Sequence, residues 1–134
     1  MSVREGYLER EAAAWPRLQA ALDAGRDALG WSGSAVAGHI AFWMSRAADA
    51  LSSMADGTFD REAFATDVDA ENDRLLPTWD AMPVERARAD LEAARARVLA
   101  AWSRLDEPDD TAAGWFAGDT FEHYDEHVGG AGGS

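Results

Sequence analysis

Two of the three histidines in this sequence, His123 and His127, stand four residues apart in DTFEHYDEH near its end. On a helix that spacing places them one turn apart on the same face. The third, His39, lies in SGSAVAGHIAFW, which also reads as helix. Two imidazoles from one helix and a third from another can meet at one cation. Three protein ligands that leave coordination positions open are the pattern of catalytic zinc sites, whereas structural sites are closed by four. Neutral imidazoles leave the full dipositive charge on the ion, which favours a lowered pKa for bound water or an anionic ligand. Imidazole suits zinc, nickel, iron or copper; zinc is the default and nickel an alternative. The spacing alone is a weak motif. It lacks the intervening glutamate of HExxH proteases, and two histidines four apart on a terminal helix often bind nothing.

Each ligand histidine should donate its other ring nitrogen to a carboxylate or carbonyl. Asp49, Asp119, Glu122, Asp125 and Glu126 are near in sequence, with no pairing assigned. Glu126 as a fourth ligand or general base is disfavoured, because it points about 100° away from His127 on a helix.

The composition removes rivals. There is no cysteine, so thiolate ligands, disulfides and cysteine nucleophiles are excluded. All 12 basic residues are arginine, which removes lysine Schiff-base chemistry. A net charge of −13 argues against nucleic acid or an anionic membrane as partner. No apolar run approaches the ~20 residues of a membrane helix. The start, MSVREGYLERE, is charged where a signal peptide is apolar, so an intracellular, cytoplasmic protein is expected. At 134 residues and 47% hydrophobic content the chain can bury a core as one domain.

Helical periodicity supplies the elements that must position the histidines. Leu8, Ala12, Trp15, Leu18 and Leu22 form a stripe over 3–24, with Pro16 expected to kink or break it. After Gly25 and Gly30, Ser32 or Ser34 can cap a second helix to about Met54, striped by Val36, Ile40, Trp43, Ala47 and Leu51. His39 lies beside that stripe. A short helix is expected over 62–76, ending before Pro77. Pro83 suits the first turn of a third long helix, whose buried face runs from Leu91 through Trp102 to Leu105. Residues 107–118 read as a crossover too polar and glycine-containing to be helical throughout. Asp119 with Glu122 resembles a capping box, so a last helix should start there and stop at Gly129. The fold expected is all-α, a four-helix bundle spanning 1–128 with a long crossover before the last helix. A flexible Gly-rich tail is expected over 129–134.

Three stretches together resemble the DinB/YfiT-like superfamily of four-helix-bundle metalloenzymes. They are WSGSAVAGHIAFW (31–43), DVDAENDRLLPTWDAMPVERARADLEAARARVLAAW (67–102) and TFEHYDEH (120–127). Within that superfamily the chain is similar to the maleylpyruvate isomerase N-terminal domain and to ClbS/DfsB-type proteins. The resemblance covers most of the chain, and it maps the family's three metal ligands onto His39, His123 and His127. It implies activities such as thiol-dependent S-transfer or isomerisation, with a low-molecular-weight thiol as co-substrate, or protection against a reactive metabolite. The departure is at the end, where GGAGGS follows the last ligand without a segment to close the site.

Trp43, Asn72, Trp115 and Tyr124 are candidate pocket residues; for the three aromatics, core packing is the competing reading. No residue is assigned a catalytic role. The function expected first is a metal-dependent small-molecule enzyme, a thiol-dependent S-transferase or a related isomerase or hydrolase. The alternatives are a non-enzymatic binding or resistance protein using the bundle cavity, and a helical module that forms a homodimer.

Overall fold

The structure is a computed structural model describing residues 2–25, 27 and 29–129. These residues are all-helical: α1 (Val3–Asp23), α2 (Gly33–Asp56), a 3-10 turn (Arg61–Phe64), α3 (Val68–Ala81), α4 (Val84–Ser103), α5 (Asp110–Asp119) and α6 (Phe121–Val128). No strand is present among them. The Gly-rich tail beyond Gly129 lies outside the described residues.

Helix α2 is the axis of the fold. Ser32 caps it, accepting from the Ala35 amide at 3.1 Å and donating its hydroxyl to Asp80 Oδ1 at 2.6 Å. It ends on Gly57, whose left-handed φ of 75° is the conformation a glycine supplies without steric cost. Nearly every turn of α2 is buried, much of it alanine: Ala35, Ala37, Ala41, Ala47, Ala48 and Ala50. Small side chains let α4 approach closely, and α4 answers with Ala87, Ala94 and Ala101 between Leu91, Val98 and Trp102. Helices α3 and α5 pack on other sides of α2, and α6 lies mainly against α1 and α5.

Several expected boundaries move, through capping or packing. Helix α1 runs unbroken through Pro16, so the expected break is absent. Instead of one helix over 62–76, the chain makes a 3-10 turn and then α3, capped by Asp67 accepting from the Ala70 amide at 3.1 Å. Helix α3 continues through Pro77 to Ala81. Its last turns carry Trp79 into the core, and burying an indole outweighs one lost backbone hydrogen bond. The expected crossover is itself helical, as α5, because Asp109 caps it through the Ala112 amide at 2.9 Å. Asp119 therefore ends α5 rather than capping α6, and α6 begins at Phe121 without a side-chain cap. Thr120 forms the joint, its hydroxyl donating to the Phe116 carbonyl at 2.7 Å. Helix α6 stops at Gly129, as its sequence predicts, with φ at 113°.

What orients the short α6 is a buried polar knot. Glu11 on α1 is 1% exposed and takes both Arg95 nitrogens from α4, at 2.7 and 2.8 Å. Tyr124 on α6 donates its hydroxyl to Glu11 Oε2 at 2.9 Å. The Arg95 guanidinium lies 4.6 Å from the Trp15 ring centre, and Trp15 meets Tyr124 edge-on. A bidentate carboxylate–guanidinium pair has one good geometry, so it fixes how three helices meet even where its net stabilisation is small.

Helices α2 and α3 pack tightly at Gly38, where a Cβ would stand 2.8 Å from Trp79 Cδ1 and 3.1 Å from Trp79 Cβ. Gly38→Ala gains about 1 kcal/mol of helix propensity and meets an overpacking cost of about 1–3 kcal/mol. The ring base cannot swing aside, so the clash should win by up to roughly 2 kcal/mol. Chemical denaturation is expected to show a lowered midpoint for Gly38→Ala; a raised midpoint would contradict this packing.

Candidate metal centre

The three histidines converge. His39 arrives from the first turns of α2, and His123 and His127 from successive turns of α6. One ring nitrogen of each lies within 4.8 Å of the others. The ring centroids form a near-regular triangle, 4.6 Å for His39–His123, 5.2 Å for His39–His127 and 5.0 Å for His123–His127. All three are buried, at 6%, 7% and 2% exposure respectively.

The nitrogens suit a cation. His39 Nε2 and His123 Nε2 face each other at 2.8 Å. Two imidazoles on one zinc, with bonds of about 2.0–2.1 Å, hold their nitrogens roughly 3.0–3.4 Å apart. An adjustment of a few tenths of an ångström admits the ion. His127 Nδ1 lies 2.7 Å from Asp27 Oδ1, which leaves its Nε2 free to ligate. Asp27 is itself fixed, because its Oδ2 accepts from the Leu29 and Trp31 amides at 3.1 and 2.9 Å. A carboxylate that holds the far nitrogen of a ligand histidine sets its tautomer and raises its basicity. His39 Nδ1 and His123 Nδ1 are buried without a hydrogen-bond partner among the described residues.

Trp31 and Trp79 wall the triad. Trp31 meets His39 edge-on at 4.9 Å and His127 at 5.7 Å, and Trp79 meets His39 at 5.3 Å. Beside His39 and His123 opens a cleft of about 230 Å³, completed by Trp43, Val68, Asn72, Gly118, Asp119 and Glu126. Trp43 Nε1 donates to Asn72 Oδ1 at 2.7 Å, so indole and amide form one rigid wall. A larger groove of about 550 Å³ between α2, α3 and α4 shares Trp79 but none of the histidines. The groups that could hold a metal ion converge beside the smaller cleft.

Of the four pocket candidates, Trp43 and Asn72 line this cleft and two do not. Tyr124 is turned to the opposite side of α6, fully buried with its hydroxyl on Glu11. Trp115 packs with Phe59 and Phe64 near the 3-10 turn. Tyr124 stands on the flank of α6 that faces α1, whereas Glu126 stands on the flank that faces the cleft, and α5 carries Trp115 outward. Asp125, one of the carboxylates near in sequence, pairs with Arg17 at 3.2 Å instead of a ligand. Asp49 pairs with Arg97 on the surface. Sequence reasoning missed Asp27, which sits in the glycine-flanked loop before α2 and is 100 residues from His127. The one available signal was that a ligand histidine needs a carboxylate behind it.

Charge at the site is controlled by burial. Desolvation, then the neighbouring His127, lowers His39 to about 4. Desolvation, then His39 and His127, lowers His123 to about 3. Asp119 moves the other way: burial first, with Glu126 adding to it, raises its carboxyl to about 7 against the opposing pull of Arg46. At neutral pH both imidazoles are therefore unprotonated bases, as ligation requires.

The chain matches no family model, no curated protein and no solved structure.

Histidines held below their unfolded value of 6.5 contribute stability that is complete above that pH and lost as pH falls towards their folded values of about 4 and 3. Asp119, raised from 3.8 to about 7, acts oppositely: its contribution is present below 3.8 and lost as pH rises through 7. The double variant His39→Gln/His123→Gln isolates the first effect. Urea unfolding of metal-free protein between pH 6.5 and 4.5 is expected to show a shallower acid loss in the variant, by up to about one proton per histidine. Parallel pH profiles would contradict buried neutral imidazoles.

Proposed function

We propose that this chain is a metal-dependent small-molecule enzyme, a four-helix bundle of the DinB/YfiT-like type whose centre is the triad His39, His123 and His127. The single observation that carries this reading is the convergence of three buried imidazole nitrogens within 4.8 Å. Three buried imidazoles, each offering one nitrogen to the same small space, suit a shared cation. Zinc is the ion the donor set suits by default, with nickel second.

A divalent ion held there would supply a Lewis acid that lowers the pKa of a thiol or water approaching it. The chain's own residues do the rest. Asp27 holds His127 with its free nitrogen forward. Trp31 and Trp79 shield the inner side of the triad from water. The open side faces the cleft, where Trp43 and Asn72 form one wall and Asp119 stands ready to hold a proton near neutral pH. Such a site fits activation of an external thiol, a group that a cysteine-free protein cannot supply itself. Thiol-dependent S-transfer, or a related isomerisation or hydrolysis, is the reaction class this favours.

Titration of metal-free protein with zinc, followed by competition with a chromophoric chelator, should show one equivalent per chain. His123→Ala and His127→Ala should each abolish tight uptake while helix content is kept. Asp27→Asn should weaken binding by about 10–100-fold, the usual effect of losing a partner behind a ligand. Wild-type protein that takes up no metal would refute the reading.

A further inference from the structure

Helix α6, which carries two of the three histidines, is held from behind. It is eight residues long and starts without a side-chain cap, so its own backbone does little to fix its pose. Helix α1 supplies the support at three places. The Arg10 guanidinium lies 4.3 Å from the Phe121 ring centre, Arg17 pairs with Asp125 at 3.2 Å, and Tyr124 donates its hydroxyl to Glu11 Oε2 at 2.9 Å. The first two contacts come from exposed arginines. The third is buried on both sides, with Tyr124 at 0% and Glu11 at 1% exposure. Glu11 is itself fixed by two Arg95 nitrogens at 2.7 and 2.8 Å, so the hydroxyl meets a carboxylate that has one pose.

The two histidines of α6 differ in what else holds them. His127 has Asp27 at its Nδ1, 2.7 Å away. His123 has no such support: its Nδ1 is buried without a partner among the described residues, and its Nε2 faces the ring of His39. The place of the His123 ring therefore rests on the helix that carries it, and Tyr124 is the next residue along. Turning α6 by about 10° would carry a ring nitrogen, about 5–6 Å from the helix axis, through about 1 Å. Ligand distances in a metal site are held to within about 0.2 Å. A rotation of a few degrees is thus enough to misplace a ligand. On the α1 side, the buried hydrogen bond from Tyr124 to Glu11 resists it.

Resting on the metal-centre reading above, we infer that Glu11 is a positioning residue of that centre: held by Arg95 and acting through Tyr124, it sets the rotation of α6 and so the place of the His123 nitrogen. Glu11 and Tyr124 lie on the far side of α6 from the cleft and act on the ion only through that helix. Tyr124 thereby has a role at the site without lining it.

Tyr124→Phe removes the hydroxyl and keeps the ring that meets Trp15. Val98→Ala, buried elsewhere on α4, controls for a loss of stability alone. Zinc affinity is measured by chelator competition at a temperature where circular dichroism shows every protein folded. The d–d absorption of the cobalt-loaded forms reports the coordination around the metal. Tyr124→Phe should bind zinc about tenfold more weakly, and its cobalt bands should lose intensity as water replaces an imidazole. Val98→Ala should keep the wild-type affinity and spectrum. Glu11→Ala should weaken zinc binding at least as much as Tyr124→Phe, and combining the two should cause no further loss, because the hydroxyl acts through that carboxylate. Losses that multiply in the double variant overturn the path through Glu11. If Glu11→Ala does not fold, Tyr124→Phe and its control still decide. Wild-type affinity and spectrum in Tyr124→Phe, or an equal loss in Val98→Ala, overturn the positioning role and leave the metal centre standing. Wild-type protein that takes up neither zinc nor cobalt removes both.

Discussion

His39 and His123 can be buried edge to edge only while they stay uncharged, and the rest of the molecule is arranged around that requirement. Each ring that took a proton would face two others at about 5 Å with little water to screen it. Burial lowers His39 and His123 far enough to keep them neutral, which is also the state that binds a cation. The condition that makes the cluster tolerable and the one that makes it a ligand set are the same. Asp27 adds the polarity the cluster can accept, one carboxylate fixed by backbone amides and aimed at a single nitrogen.

Keeping three rings in register demands rigid supports. Helix α6, eight residues long and without a side-chain cap, has little stability of its own. Its orientation comes from the far side, where Tyr124 reaches Glu11 and Glu11 holds Arg95. Helix α2 carries His39 along the axis of the fold, and Gly38 lets Trp79 close on that ring. Polar specificity on one side and close apolar packing on the other thus position ligands from two helices. The cleft lies between these supports, where Trp43 and Asn72 brace each other.

Much of this was legible in the amino-acid sequence, for reasons that differ by element. The stripes of α1, α2 and α4 are periodic over roughly four to five turns, and the four-residue spacing of His123 and His127 is a direct statement about one helix face. Ser32, one of the two serines that could cap α2, does so by local chemistry. What stayed hidden depends on tertiary contact. Helix α5 contains Gly114 and Gly118 and has no marked apolar stripe, so only its Asp109 cap and its packing on α2 make it helical. Pro77 signals an end that burial of Trp79 overrides. For Tyr124 the sequence leaves pocket and core packing both open, and the contact with Glu11 on α1 makes it core. Asp27 sits in a non-periodic loop, and its role exists only through a contact spanning 100 residues.

The central claim is that all three imidazoles ligate one ion in the folded protein. X-ray absorption on the zinc-loaded chain addresses it directly, because the fine structure counts imidazole scatterers around the metal. The account predicts three imidazole nitrogens at about 2.0–2.1 Å, with the remaining position filled by oxygen. A first shell of oxygen alone, or one that is unchanged in His39→Ala, would contradict it.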